Sequence, residues 1–417
     1  MVYDLIIIGG GPAGYVSAIR AGQLGMKTLL IEKSNVGGMC LKWGCIPSKS
    51  LLESAKFFQK IGDAKKFGID GVDKKSLSFN WQAAVKKAST TTTRLTKGIE
   101  YLLNKSGVEV IYGEAKIVSE KSVSVDNRNF SAGNIIIATG SKPAETEAKE
   151  EISIQDFYAL EKLPENIIFM GYGPVSAELA HLSAMAGVKS SIFGKGDKLV
   201  LDLDDYLNEF LLKRLKKDKI QFIENENDIP TDALRVNSRM RNAILPQTTP
   251  ALRLDKNGFV ETDDNFRTSI DGIFAIGDVT GKSSYAHLGS AQGLFVVNKL
   301  KGIVSPMDFK RFPINIYTYP EIAQIGLTEQ ELKAEGYNYK VSSFPISANA
   351  KAMINGETEG EVRILSEHAY GEVMGVQIIA ENATDMIAEA SAYMSMEGTI
   401  YDIAATIHAH PTVSEIF

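Results

Sequence analysis

The sequence predicts an α/β fold built on two copies of a strand–turn–helix unit, followed by an α+β domain with antiparallel strands. A short apolar run, Leu5–Ile8, precedes a glycine-rich turn and a helical pattern, and Asn166–Met170 opens a second unit of the same kind. Apolar runs of this length are typical of strands buried on both faces of a parallel sheet. The C-terminal part instead has short strand patterns at Val362–Leu365 and Gly375–Ile379, before the amphipathic stretch Thr384–Glu397.

The first unit carries the residues of a dinucleotide-binding turn. Its glycines form the pattern Gly9-x-Gly11-x-x-Gly14, and Glu32 follows the next strand, Lys27–Ile31. These glycines permit close approach of a pyrophosphate, the helix N-terminus attracts its charge, and the acid is placed to bind a ribose hydroxyl. A plain glycine turn is the alternative, but the strand, the helix and the acid are all in place. We therefore predict a Rossmann-like domain.

The second unit repeats this arrangement with two departures. The first two glycines are kept, but Ser176 stands at the third, and the position that matches Glu32 is Gly194. Two lysines follow it, Lys195 and Lys198. Since an acid at this position normally holds the ribose hydroxyls of NAD, its loss beside two positive charges leaves NADP open as the cofactor.

The composition disfavours several classes of function. The chain has 417 residues, 44% hydrophobic and 23% charged, as in an ordinary globular protein of two or three domains. A formal net charge of −6 disfavours a nucleic-acid binder. No apolar run approaches the roughly 20 residues that span a membrane, and the N-terminus lacks the basic segment of a signal peptide. We expect a cytoplasmic protein without a membrane partner.

The two cysteines, Cys40 and Cys45, point to redox chemistry. A structural disulfide this short would constrain the unfolded chain little, and two cysteines without a nearby histidine are a poor zinc site, so we expect no metal. Pro47 suits the first turn of a helix, which places Cys45 at a helix N-terminus, where the dipole stabilises a thiolate. Lys49, one turn further on, adds a positive charge. On spacing alone, two buried apolar thiols remain the alternative.

The segment from Gly37 to Lys49 resembles the active-site motif of the pyridine nucleotide-disulphide oxidoreductases, most of all that of the dihydrolipoamide dehydrogenases. The resemblance implies that Cys40 exchanges with the substrate, that Cys45 lies against the flavin, and that Lys49 sits beside the flavin ring. His410, before a proline near the C-terminus, resembles the family's acid/base. This role is chemically sensible, because only a thiolate attacks a disulfide and a base must form it.

The resemblance names Glu415 as the residue that orients this histidine. A helix-capping role is the competing interpretation, because Thr412-x-x-Glu415 is also a capping box. Only two residues follow Glu415, too few for an independent helix, so we expect the family role, alone or together with the cap.

The same resemblance implies FAD and NAD as cofactors, with NADP left open as above. It rests further on the segments Ile135–Gly140, Gly272–Asp278 and Ala286–Leu288, of which His287 is given no catalytic role. The residues implied to contact FAD are Gly9, Gly11, Pro12, Ala13, Gly14, Glu32, Gly38, Ala115, Ala138, Thr139, Gly140, Gly277, Asp278 and Ala286. Those implied to contact the nicotinamide dinucleotide are Gly171, Gly173 and Glu178.

The expected domains are an FAD-binding domain in two segments (1–146 and 266–304), a shortened NAD(P)-binding domain (147–265) and an interface domain (305–417). The middle domain is short because the chain passes from Ile220–Ile223 to Asp232–Val236 with no room for the family's β-meander. Mercuric reductases share much of the pattern but carry a C-terminal cysteine pair that this sequence lacks.

The sequence thus predicts a flavin-dependent disulfide oxidoreductase, with dihydrolipoamide oxidised by NAD as the expected reaction. The resemblance implies a homodimer, a lipoamide or lipoyl-domain substrate, and a 2-oxo acid dehydrogenase or similar complex as partner. Two rivals stay open. One is an NADPH-dependent reductase of another small disulfide, and the other is a non-catalytic flavoprotein subunit with a weakened nicotinamide site.

Overall fold

The computed structural model describes residues 2–144, 150–239, 241–282 and 284–417. The chain divides into two compact units. The first unit comprises residues 2–50, 83–144 and 241–309 of the described chain, and the second comprises residues 51–82, 150–239 and 310–417. The predicted domain boundary at residues 146 and 147 lies outside the described residues.

The strands in chain order are β1 (Val2–Ile8), β2 (Thr28–Glu32), β3 (Glu109–Tyr112), β4 (Lys116–Ser119), β5 (Ser122–Val125), β6 (Arg128–Ile137), β7 (Ser141–Pro143), β8 (Glu151–Ile152), β9 (Asn166–Met170), β10 (Lys189–Phe193), β11 (Gln221–Ile223), β12 (Leu234–Asn237), β13 (Arg241–Ala243), β14 (Gln247–Thr248), β15 (Ile273–Ala275), β16 (Ile314–Ile316), β17 (Glu321–Gly326), β18 (Tyr339–Pro345), β19 (Glu361–Glu367) and β20 (Val373–Ala380).

The α-helices in chain order are α1 (Pro12–Gln23), α2 (Gly38–Lys42), α3 (Cys45–Gly62), α4 (Trp81–Lys105), α5 (Ile154–Tyr158), α6 (Pro174–Met185), α7 (Asp205–Lys217), α8 (Ala286–Leu300), α9 (Glu329–Ala334), α10 (Ala350–Asn355), α11 (Ala383–Ser395) and α12 (Ile400–Ala405). Among the residues that the structure describes, no helix is long and apolar enough to cross a lipid bilayer.

The first unit is built around an eight-stranded sheet. The strand order is β14-β4-β5-β6-β1-β2-β3. The eighth strand, β15, pairs in parallel with the C-terminal part of β6, Ile135–Ile137. The strands β1, β2 and β6 are parallel, with Leu5 opposite both Thr28 and Asn134. Apolar side chains of β1 point alternately into two separate core clusters, one on each face of the sheet, which explains why this strand reads as a continuous apolar run.

The second unit contains two five-stranded sheets. The first has the order β11-β10-β9-β12-β8 and is parallel throughout, whereas the second has the order β16-β17-β20-β19-β18 and is antiparallel. Helix α11 packs on the antiparallel sheet through buried residues such as Met386 and Ile387. The predicted α/β class, the second strand–turn–helix unit and the antiparallel C-terminal part are therefore confirmed.

The connection from β11 to β12 in the second unit is short, as the sequence predicts. A single 3-10 helix, Glu226–Asp228, lies between β11 and β12. The residues between these two strands, all of which the structure describes, form no β-meander. Because β12 returns directly beside β9, the core of a dinucleotide-binding unit is kept while the insertion is absent.

Candidate functional site

The glycine-rich turn between β1 and α1 is shaped for close approach of a phosphate group. A Cβ on Gly9, whose φ is +105°, would lie 2.3 Å from the carbonyl oxygen of Ala138, and one on Gly14 would lie 1.8 Å from that of Gly9. At Gly11 the nearest atom to such a Cβ is the Cα of Gly38, 3.9 Å away, which is an ordinary van der Waals distance, so this position is not crowded. Gly11 is the N-cap of α1 and offers no side chain to its first amides. The turn therefore fits a pyrophosphate at a helix N-terminus.

Glu32 closes the turn from the end of β2. Its Oε2 accepts a 2.7 Å hydrogen bond from the backbone N–H of Gly10, and its Oε1 accepts from the N–H and hydroxyl of Ser34 at 2.9 and 3.1 Å. The side chain is buried, with 7% of the residue exposed. These bonds fix the carboxylate beside the turn, where the ribose of a dinucleotide would lie.

A second set of predicted cofactor residues gathers on β6, β15 and the turn that follows β15. The Asp278 carboxylate accepts a 2.7 Å hydrogen bond from the Ser141 hydroxyl and forms a 3.2 Å ion pair with Arg241. The N–H of Gly277 donates to the side-chain oxygen of Gln292 at 2.7 Å. Ser141 and Arg241 were not singled out as site residues from the sequence, because their contact with Asp278 joins parts of the chain far apart.

The remaining predicted FAD residues of the first unit lie around this sheet. Pro12 and Ala286 begin α1 and α8, and Ala13, Ala115 and Ala138 are buried. The Thr139 hydroxyl donates to the carbonyl of Ile244, and the carbonyl of Gly140 accepts from the Ile244 N–H at 2.9 Å.

The cysteine segment is tied to the dinucleotide turn. The N–H of Gly37 donates to the carbonyl of Gly10 at 2.8 Å, and a Cβ on Gly38 would lie 2.7 Å from the Cα of Gly11. Cys40 lies in the short helix α2, and Cys45 is the first residue of the 18-residue helix α3. The two half-buried cysteines are thus held on consecutive helices next to the predicted flavin site.

The electrostatics of the pair are unequal. Cys45 at hydrogen-bonding distance and burial both raise the pKa of the Cys40 thiol, and the nearby positive charge of Lys49 acts in the opposite direction. Cys45 occupies the N-terminal position of α3, where the helix dipole favours a thiolate. When one proton leaves the reduced pair, this arrangement favours a charge on Cys45 while Cys40 remains a thiol.

His410 and Glu415 form a hydrogen-bonded pair in the second unit. The Nδ1 atom of His410 lies 2.8 Å from Oε1 of Glu415, and Oε2 of the same carboxylate accepts from the N–H of Thr412 at 2.7 Å. The two contacts lower the pKa of Glu415, the Thr412 amide more than the histidine. One carboxylate therefore orients the imidazole and holds the final turn, Val413–Ile416, at the same time. The His410 side chain is 73% exposed, which leaves its other ring nitrogen accessible.

The second glycine-rich turn, between β9 and α6, keeps the shape of the first with one exchange. Gly171 and Gly173 have φ values of +131° and +145°. Ser176 replaces the third glycine, and its buried hydroxyl donates to the Gly171 carbonyl and lies 2.9 Å from the hydroxyl of Ser238. The exchange thus adds hydrogen bonds between the turn and the end of β12. Glu178, two residues further on, is buried and accepts a 3.0 Å hydrogen bond from the Tyr317 N–H.

The predicted site residues are therefore distributed over both units. The first unit brings together the glycine turn, Glu32, Asp278, the two cysteines and Lys49. The second holds the other glycine turn, Glu178 and the His410–Glu415 pair.

The chain matches two models of one protein family. Residues 3–229 and 223–293 match the pyridine nucleotide-disulphide oxidoreductase model, and residues 312–417 match the dimerisation domain of the same family. The two segments of the first match meet at residues 223–229, where the β-meander is absent.

Curated relatives and solved structures agree with these matches. The dihydrolipoyl dehydrogenase of Bacillus subtilis is 32% identical over 457 positions, covering 99% of this chain and 96% of its own. That of Mycoplasma genitalium is 33% identical, covering 100% and 97%. The crystal structure of LpdA from Mycobacterium tuberculosis superposes with a TM-score of 0.89 at 21% identity, covering 99% and 97% of the two chains, and so shares the fold.

Proposed function

Because the chain belongs to the pyridine nucleotide-disulphide oxidoreductase family, whose members are FAD- and NAD(P)-dependent enzymes, we propose that it is a dihydrolipoyl dehydrogenase. The single observation that carries the proposal is the cysteine pair on α2 and α3, bonded through Gly37 to the turn predicted to hold FAD. The names of the Bacillus and Mycoplasma relatives support dihydrolipoamide as the substrate.

The cofactor residues are those of the first unit. Gly9, Gly11 and Gly14 would hold the pyrophosphate of FAD, Glu32 its adenosine ribose and Asp278 its ribityl side. When bound there, FAD supplies the two-electron acceptor that links the cysteine pair to the nicotinamide dinucleotide.

The thiol chemistry falls to the cysteines and to His410. The imidazole takes a proton from one thiol of the substrate, and the thiolate attacks Cys40 in the oxidised pair. The Cys40–Cys45 bond breaks, and its electron pair leaves on Cys45 as a thiolate. The second substrate thiol then attacks the substrate sulfur of the mixed disulfide, its proton passes to the leaving Cys40 sulfur, and the oxidised substrate and the Cys40 thiol are released while the first proton remains on His410. Two electrons have then moved from the substrate to the cysteine pair.

The proposed assembly is a homodimer. Residues 312–417 match the family's dimerisation domain, and in the proposed dimer the base that meets Cys40 of one subunit is the His410 of the other. A lipoyl domain of a 2-oxo acid dehydrogenase complex is the proposed macromolecular substrate. From the sequence, the segments 1–146 and 266–304 are proposed as the FAD domain, 147–265 as the nicotinamide domain and 305–417 as the interface. Residues 241–265 of the middle segment pack with the first unit, where β14 joins its sheet.

An NADPH-dependent reductase of another small disulfide is the second candidate. It is favoured by one observation, the glycine at position 194 in place of an acid. Of the two lysines nearby, Lys198 is paired with Asp205 at 2.5 Å, and Lys195 is exposed.

Steady-state kinetics on the FAD-loaded protein separate the candidates. We expect oxidation of dihydrolipoamide with NAD to exceed the reduction of glutathione disulfide or similar compounds by at least tenfold in kcat/KM. Faster reduction of another disulfide by NADPH would support the second candidate. A protein that retains FAD but exchanges no electrons with NADH, NADPH or dihydrolipoamide would instead be a non-catalytic subunit.

A further inference from the structure

The two glycine-rich turns differ in where they carry a large side chain. The two positions to compare are the second residue of the turn and the residue at the end of the next strand. In the first unit the second residue of the turn is Gly10, and it faces the Glu32 side chain. A Cβ on Gly10 would lie only 3.2 Å from Oε2 and 3.3 Å from Cβ of Glu32. The absence of a side chain on Gly10 therefore leaves room for the carboxylate of Glu32 at the end of the strand.

In the second unit this pairing is reversed. The second residue of the turn is Tyr172, and the strand-end residue is Gly194. A Cβ on Gly194 would lie 2.2 to 2.7 Å from Cδ1, Cε1 and Cγ of the Tyr172 ring. Contacts under 3.0 Å are not found for real Cβ atoms, so the ring occupies the space in which the side chain of an acid would begin.

The Tyr172 ring, in the turn after β9, also packs against a side chain of β11. Tyr172 packs edge-on against Phe222 of β11, with ring centroids 6.4 Å apart and an interplanar angle of 85°. Such an edge-to-face arrangement is a favourable one for aromatic pairs. Burial, and then the nearby Glu224, raise the pKa of the Tyr172 hydroxyl, so the group stays uncharged at neutral pH.

We propose that Tyr172 takes the place of the ribose-binding acid and is the residue that sets the choice between NAD and NADP in this enzyme. The inference rests on the proposed use of a nicotinamide dinucleotide. A carboxylate accepts hydrogen bonds from both ribose hydroxyls and repels a 2′-phosphate. An uncharged phenol ring does neither with comparable strength, so discrimination between the two cofactors is weak.

Equilibrium binding to the FAD-loaded protein tests this without turnover. The probes are ADP-ribose and its 2′-phosphorylated form, which differ only in the group that distinguishes NADP, and the readout is calorimetric titration. We expect the two dissociation constants of the wild-type protein to agree within about tenfold. A wild-type preference for ADP-ribose beyond a hundredfold would overturn the assignment of Tyr172 but leave the proposed function standing. Binding of neither probe would contradict the proposed function itself.

The decisive variant exchanges the two side chains, Tyr172→Gly with Gly194→Glu, and so rebuilds the arrangement of Gly10 and Glu32. Since a hydrogen bond to a charged group is worth about ten- to hundredfold in affinity, the ratio of the two constants should move toward ADP-ribose by that factor. An unchanged ratio in the folded double variant would overturn the proposal.

Two single variants complete the set. Gly194→Glu alone should weaken both probes, because the new side chain collides with the ring. Tyr172→Phe keeps the ring and should keep the wild-type ratio, because the proposal assigns the effect to the space that the ring fills. A shift beyond tenfold would overturn this steric explanation, since the hydroxyl would then read the 2′ position directly. Retention of FAD, which is bound by the other unit, reports folding, and the Tyr172→Phe result stands even if the double variant does not fold.

Discussion

Replacing Glu32 by alanine is expected to weaken both the fold of the first unit and its hold on FAD. The substitution removes the acceptor of the buried Gly10 N–H, bonded at 2.7 Å, and that of Ser34, which is near solvent. Leaving a buried donor unsatisfied costs about 1–3 kcal/mol. For a cooperative unit of this size, each kcal/mol lowers the melting temperature by about 2–4 °C, so the apoprotein should lose about 2–12 °C.

A loss of affinity for FAD is expected in addition to this loss of stability. If Glu32 also binds the adenosine ribose, a further charged hydrogen bond of about 1.5–3 kcal/mol is lost, equal to about ten- to hundredfold in the FAD dissociation constant. Melting of the apoprotein and titration with FAD, followed by quenching of flavin fluorescence, measure the two effects separately.

A matched control is Glu109→Ala, which removes an exposed carboxylate from the neighbouring strand β3, where it accepts a 2.7 Å hydrogen bond from the Tyr3 hydroxyl. It should leave FAD binding unchanged. An FAD dissociation constant within twofold of wild type in Glu32→Ala would refute the assignment of Glu32 to the ribose.

Two further predictions concern the second unit. Glu415→Gln keeps an acceptor for the Thr412 amide but loses the negative charge beside His410. The rate of dihydrolipoamide oxidation should therefore fall by about ten- to hundredfold, while flavin reduction by NADH, measured by stopped flow, stays unchanged. Equal losses in both half-reactions would indicate a purely structural role. A hydrogen bond from Lys333 is the main reason that the pKa of Glu329 is lowered from 4.5 to about 2, so its stabilising effect is full above about pH 4.5 and is lost as the pH falls toward 2. Glu329→Gln should therefore be less stable than wild type to urea at pH 7 and approach it at pH 3, whereas a pH-independent difference would contradict this reasoning.

The sequence was sufficient to predict the class of fold and the elements that hold the first dinucleotide site. The apolar runs Leu5–Ile8 in β1 and Ile167–Met170 in β9 are buried because both faces of each sheet are covered, and this pattern is visible without coordinates. The place of Cys45 at the start of a helix was also predictable, since Pro47 indicates the first turn of the helix that begins at Cys45.

Contacts between distant side chains could not be predicted in this way. The sequence shows that Gly194 lacks a carboxylate and suggests that a glutamate there would restore one. Only the structure shows that the Tyr172 ring already fills that space. The ion pair of Arg241 with Asp278 is of the same kind, because it depends on side-chain directions that no local pattern specifies.

Glu415 illustrates a different limit. From the sequence, its roles as a helix cap and as the partner of His410 compete for one side chain. In the structure each oxygen of the carboxylate serves one role, because Oε1 lies beside the imidazole and Oε2 accepts from the Thr412 amide.

The measurement that tests the proposed chemistry most directly is an anaerobic titration of the FAD-loaded protein with dihydrolipoamide, followed by absorbance. Transfer of two electrons should produce a long-wavelength band from the Cys45 thiolate against the flavin. Cys45→Ser should lose this band, and Cys40→Ser should show it before any reductant is added. The opposite pattern would mean that the two sulfurs have exchanged roles. A wild-type protein that takes up no electrons from the dithiol and shows no band would contradict the assignment of a redox-active pair.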